Sequence, residues 1–118
     1  NIMNIEQYID EENKIMTTEN IITIQPFLTP VKLQYLTQIT IQNCDLEYFP
    51  MFRSKSLTNL NLNNNSIVKI DFLQGFLNIA NLDLSNNHIC DTQQLILNRH
   101  KNLTNIQLHG NLFDYKRL

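Results

Sequence analysis

Leu57-Thr-Asn-Leu60-Asn-Leu62-Asn-Asn-Asn65-Ser-Ile67 is followed by Ile79-Ala-Asn-Leu82-Asp-Leu84-Ser-Asn-Asn87-His-Ile89, and then by Leu103-Thr-Asn-Ile106-Gln-Leu108-His-Gly-Asn111-Leu-Phe113. One pattern is written three times: L-x-x-L-x-L-x-x-N-x-L, with Ile or Phe at some apolar sites. A weaker copy precedes them, Leu36-Thr-Gln-Ile39-Thr-Ile41-Gln-Asn-Cys44-Asp-Leu46, with Cys in place of the asparagine. The anchor positions 44, 65, 87 and 111 stand 21, 22 and 24 residues apart. A period of this length marks stacked units, none of which can bury its apolar face alone.

Each L-x-L core reads as a short strand with period-two alternation. Ile39 and Ile41, Leu60 and Leu62, Leu82 and Leu84, and Ile106 and Leu108 should point inward. The chain must then turn at the asparagine, where backbone groups lose their ladder partners. An unpaired buried polar group costs about 1–3 kcal/mol. An Asn side chain both donates and accepts, so it can satisfy such groups and tie one unit to the next. Cys44 can replace it in part through a weak S–H donor.

The return path after Asn65 repeats an apolar residue every third position: Ile67, Ile70, Leu73, Phe76, Ile79, Leu82. That spacing suits short helical or 3-10 turns with one apolar face. These motifs resemble the 22-residue leucine-rich repeat class of intracellular proteins, which includes a phosphatase regulatory subunit and the spliceosomal A-prime protein. The likeness spans about residues 36–113. It implies an α/β solenoid with a parallel sheet on its concave face and short helical or 3-10 turns on its convex face. It also implies a non-catalytic role.

Residues 34–118 then hold about four repeats, and residues 1–33 are the natural N-terminal cap with a helix. Ile2, Ile5, Tyr8 and Ile9 follow helical spacing, while Glu6, Asp10, Glu11 and Glu12 make the other side acidic. Ile21 to Ile24 read as a strand beginning the sheet. Pro26 and Pro30 punctuate the path to the first clear repeat. In the third return path, Asp91 is placed to cap a helix through Gln94 that carries Leu95, Ile96 and Leu97. Leu108, Leu112, Phe113 and Leu118 leave an apolar end, and Tyr115, Lys116 and Arg117 do not reproduce the closing segment of related chains. Further chain or another subunit is the expected cover for this end.

The 118 residues carry a formal net charge of −2, which argues against a dedicated nucleic-acid binder. Cys44 and Cys90 both lie within repeats and form no cap cluster. That favours an intracellular location, cytoplasmic or nuclear. Asn64-Asn-Ser66 and Asn102-Leu-Thr104 match glycosylation acceptors, as chance allows in so Asn-rich a chain. No apolar run reaches transmembrane length, so no membrane partner is expected. His88, His100 and His109 fall at unrelated repeat positions, and the two glycines form no phosphate-cradling loop. No catalytic residue, metal site or cofactor is read from the sequence.

Outward strand positions form three columns. Gln38, Asn59, Asn81 and Asn105 make the first, Thr40, Asn61, Asp83 and Gln107 the second, and Gln42, Asn63, Ser85 and His109 the third. Asp83 is the one carboxylate among them. Either this is an amide-lined groove that hydrogen-bonds a protein partner, or it is a solvated face coloured by biased composition. A second row is basic: Lys32, Arg53, Lys55, Arg99 and Lys101, with His100 beside them. Stacking should align these on one edge, for contact with RNA phosphate or an acidic protein; the alternative is charge that keeps the turns soluble. The expected role is a protein–protein interaction module, a subunit or domain of a larger assembly. The alternative is an RNA-associated scaffold similar to spliceosomal or mRNA-export relatives.

Overall fold

A computed structural model describes residues 3–90 and 100–113. Six strands form one sheet: β1 (Ile9–Asp10), β2 (Ile15–Glu19), β3 (Gln38–Gln42), β4 (Asn59–Asn61), β5 (Asn81–Asp83) and β6 (Asn105–Gln107). They lie side by side in chain order. β1 pairs with β2 antiparallel, and every later pair is parallel. The fold is α/β with few helices. The register matches the sequence repeat: Met16, Ile39, Leu60, Leu82 and Ile106 are paired in series. Strands of three residues suffice because the central apolar side chain faces the core, buried at Leu60 and Leu82 and half-buried at Ile106, and the chain passes on to the next turn.

β2 is where the sequence reading needs correction. The strand expected at Ile21–Ile24 lies instead at Ile15–Glu19, and Ile21–Ile24 is a turn in which the Ile24 amide donates to the Ile21 carbonyl at 3.3 Å. Thr18 occupies the slot that Leu62 and Leu84 fill, and Ile21 stands where the asparagine should be. The repeat was therefore hidden by its substitutions. Ile24 is fully buried, but as a turn anchor. The helix expected from Ile5, Tyr8 and Ile9 is a single 3-10 turn, Ile5–Tyr8, capped by Asn4, which runs into β1. A four-residue helix α1, Pro30–Leu33, leads into the first clear repeat.

The β1–β2 hairpin is held by Asp10. Its Oδ1 accepts from the amides of Glu12 at 3.1 Å and Asn13 at 3.2 Å, and its Oδ2 accepts from Asn13 Nδ2 at 2.8 Å. The Asn13 side-chain bond above all, with the amide bonds of Asn13 and Glu12, holds the Asp10 carboxyl below its ordinary value against a smaller opposing effect of burial. Nearby, Tyr35 donates to Glu11 at 3.0 Å. Burial first, then this bond and the charges of Glu11 and Glu6, push the Tyr35 phenol up.

A chain of side-chain amides fixes the turns after the strands. Asn65 Oδ1 accepts from the amides of Cys44 and Leu46 at 3.0 and 3.1 Å, and its Nδ2 donates to the carbonyls of Ile41 and Leu62 at 2.8 and 3.0 Å. Asn111 repeats the arrangement with the Ile89 amide and the carbonyls of Leu84 and Leu108. At Cys44 the thiol does both tasks more weakly, accepting from the Ile21 amide at 3.4 Å and donating to the Gln42 carbonyl at 3.1 Å. The residue before each anchor adopts positive φ: Asn20, Asn43, Asn64, Asn86 and Gly110. Asn and Gly tolerate that conformation best, which gives the residue before each anchor a backbone role of its own.

The return path after β4 makes the expected 3-10 turn at Asp71–Gly75, with Phe72 and Leu73 buried. Phe76 follows, fully buried. Phe49 meets Phe72 edge-on at 5.4 Å between ring centres, and Phe52 meets Phe76 at 5.0 Å, a geometry aromatic rings favour. These rings share one core with Met16, Ile39, Leu60 and Leu82. The helix expected from Asp91 through Leu97, and the C-terminal positions Tyr115, Lys116, Arg117 and Leu118, lie outside the described residues, as does Ile2.

Candidate partner-binding face

Because side chains alternate across a strand, burying Ile39, Leu60 and Leu82 turns their neighbours outward together. Gln38, Asn59, Asn81 and Asn105 are register partners across β3–β6, and so are Thr40, Asn61, Asp83 and Gln107. Both columns are as the alternation demands. They line a shallow depression of about 220 Å³ that crosses four strands. Gln38, Asn105 and Gln107 are exposed, whereas Thr40, Asn59, Asn61, Asn81 and Asp83 are half-buried.

These side chains also organise one another. Asn81 Nδ2 donates to Asn59 Oδ1 at 3.2 Å, which orients these two amides on β4 and β5. Asn61 Oδ1 accepts from the Asn63 amide at 3.0 Å, and Asp83 Oδ1 accepts from the Ser85 amide at 2.9 Å. The second column thus carries the same local turn in successive repeats. In the third column Gln42 and Asn63 are half-buried, Ser85 is buried and His109 is exposed. Ser85 Oγ lies 2.5 Å from Asp83 Oδ1 and 3.0 Å from Asn63 Oδ1, and Asn86 Nδ2 donates to the latter at 3.0 Å. The face offers amide donors and acceptors in rows one strand apart, and on β4 and β5 neighbouring groups hold them.

The sequence reading missed the contribution of β2. Ile15 and Thr17 pair with Gln38 and Thr40, and Glu19 pairs with Gln42. Glu19 is exposed. Asp83 is therefore not the lone strand carboxylate on this face. The signal available was the stretch Ile15-Met-Thr-Thr18, three of its four residues β-branched, followed by Asn20, one period before Asn43.

The basic row is less uniform than stacking suggested. Lys32 is half-buried and its Nζ lies 2.8 Å from Glu6 Oε1 in an ion pair. Arg53 and Lys55 are exposed on either side of buried Ser54, whose Oγ accepts from the amides of Ser56 and Leu57. Lys101 is exposed, and Arg99 lies outside the described residues. His100 does not join the edge. It is 4% exposed, and its Nε2 lies 2.8 Å from the Leu73 carbonyl. It occupies the inward slot held by Phe76 one repeat earlier and by Ser54 two repeats earlier, and a buried imidazole satisfied by backbone is a packing residue.

Among the described residues no three His, Cys, Asp or Glu side chains gather as a metal site. No helix among them is long and apolar enough to cross a membrane. Comparison with family models, with curated proteins and with solved structures found no match to this chain.

Proposed function

We propose that this chain is a leucine-rich repeat solenoid that works as a non-catalytic protein–protein interaction module, within a larger intracellular assembly. In this reading the parallel sheet is the concave face and the 3-10 turns are convex. The observation that carries the reading is the depression across β3–β6, walled by oriented amides from successive repeats. Rows of amide groups at strand spacing suit hydrogen bonds to the main chain or polar side chains of another protein. Cys44 and Cys90 are both free thiols, in keeping with a reducing compartment.

Tagged chain cross-linked to its partners in cell extract tests the proposal, followed by mass spectrometry. The double variant Asn59→Arg with Asn81→Arg should lose the captured protein, while a Val68→Lys variant on an exposed turn keeps it. Matched melting curves guard against misfolding. Capture unchanged by the face variant would overturn this assignment. The RNA-associated scaffold draws on exposed Arg53, Lys55 and Lys101; it has less support, since Lys32 is engaged by Glu6.

A further inference from the structure

Two depressions meet around Gly75, away from the sheet face. One, of about 220 Å³, runs along Arg53, Lys55 and Leu77. The other, of about 370 Å³, runs along Met51 and Phe52. Arg53, Gln74 and Gly75 line both, so the two adjoin and together make a cleft with a shared wall. Its floor is backbone. A Cβ on Gly75 would fall 1.8 Å from the Phe52 carbonyl oxygen, so the two return paths come into close backbone contact here. The Ser54 amide donates to the Gly75 carbonyl at 3.0 Å and locks that approach.

The walls combine two chemistries. Arg53 and Lys55 are exposed, and the ion pair found among the described residues is Lys32 with Glu6, so neither cleft cation is neutralised by a paired carboxylate. Met51 and Leu77 are 56% and 53% exposed. Large apolar side chains left in water beside unpaired cations, in a concave site, mark a docking surface. We propose that this cleft binds an acidic peptide segment that carries a large apolar side chain. Its carboxylates pair with Arg53 and Lys55, Arg53 offering the planar fork suited to a carboxylate. Its apolar side chain covers Met51 or Leu77. An RNA strand fits less well, because it needs a longer track of cations and gains nothing from the apolar walls. The inference stands whether or not the sheet face binds a partner.

The test is fluorescence anisotropy with a short labelled peptide of Asp and Glu residues around a central Leu. Saturable binding is expected, weakening by about tenfold or more in Arg53→Glu with Lys55→Glu and again in Leu77→Ser. Replacing the peptide's central Leu by Ser, or its acids by Gln, should weaken it likewise. Lys69→Glu, at another exposed lysine, should leave binding unchanged. These are surface positions, and a circular dichroism melt of each variant verifies the fold. Absence of saturable binding overturns the proposal. So does equal binding of the uncharged peptide. Tighter binding of polyuridine RNA that the same Arg53 and Lys55 changes abolish would assign the cleft to nucleic acid instead.

Discussion

Asn87 Nδ2 donates to the Leu62 carbonyl, one repeat back along the chain, at 3.0 Å. The same nitrogen lies 3.0 Å from the Leu84 carbonyl of its own repeat, and Oδ1 accepts from the Ile67 amide at 3.0 Å. One amide therefore joins two units while being 2% exposed itself. Asn87→Ala should destabilise by about 1–3 kcal/mol, the cost of leaving buried backbone groups unpaired. Asn87→Asp should be no milder at neutral pH, since it sets a carboxylate against two carbonyl oxygens. Urea denaturation of the three proteins checks this. A midpoint for Asn87→Ala equal to that of the parent would refute the inter-repeat role.

Asn86 is exposed, and exposure alone would make its replacement by Ala near neutral. Its φ of 58° changes that expectation. Left-handed backbone costs a residue with a Cβ about 1–2 kcal/mol, a penalty that Asn relieves by local hydrogen bonding. Asn86→Ala should therefore lower stability by about 1 kcal/mol, and Asn86→Gly by less, since Gly adopts this conformation freely. If Ala and Gly cost the same, the side-chain bond to Asn63 matters more than the backbone.

Leu84 and Asp83 test the two faces of β5. Leu84 is fully buried, and Leu84→Ala should cost about 2–5 kcal/mol. At a fully exposed site Asp83→Ala would be negligible. Asp83 is in fact half-buried and accepts from the Ser85 amide, so its removal should cost about 1 kcal/mol. Asp83→Asn should be nearly neutral, because Asn61 makes the same turn one repeat earlier. Thermal melts of the three variants should rank them in that order.

The strands β3 to β6 were legible because their apolar alternation and the anchors at 44, 65, 87 and 111 recur in phase. β2 was not. Thr18 is buried in an apolar slot with its Oγ1 lacking a hydrogen-bond partner among the described residues, and Ile21 stands in the anchor position, so the motif was absent although the geometry is present. Register on the sheet face could be read from alternation alone. The basic edge could not, since whether a lysine is free depends on what lies across from it. Glu6 is 26 residues from Lys32 in sequence, and no periodicity brings them together. His100 was misjudged for a related reason: its neighbours are exposed, but its own slot faces inward.

Asp10 gives the hairpin a pH dependence. Its folded carboxyl titrates below its ordinary value because the ionised form accepts from Asn13 and Glu12. The sign follows from linkage. The stabilisation is fully present above the ordinary value and is lost as pH falls through the lowered one. On acidification the amide resonances of Glu12 and Asn13 should shift with a midpoint below that of an exposed aspartate. Asp10→Asn should abolish that midpoint. A titration at the ordinary value would show that the hairpin bonds do not persist in solution.

Gly75 carries the sharpest steric constraint in the return path. The Phe52 carbonyl oxygen stands 1.8 Å from where a Cβ would be, and the carbonyl carbon 2.9 Å away. Both are backbone atoms, so no rotamer change relieves the clash. The Phe52–Phe76 ring contact lies alongside and resists displacement. Gly75→Ala should therefore destabilise by about 1–3 kcal/mol, as overpacking does, although it adds one methyl group. At Gly110 the added Cβ would instead meet a side chain, Asn86 Oδ1 at 2.1 Å, and a φ of 76° adds backbone strain of its own. The two glycines fail for different reasons, and a second variant separates them. Asn86→Gly should partly rescue Gly110→Ala by removing the colliding side chain, and should do nothing for Gly75→Ala. Denaturation midpoints of the single and double variants read this directly. Gly75→Ala as stable as the parent would mean that the return paths do not approach this closely.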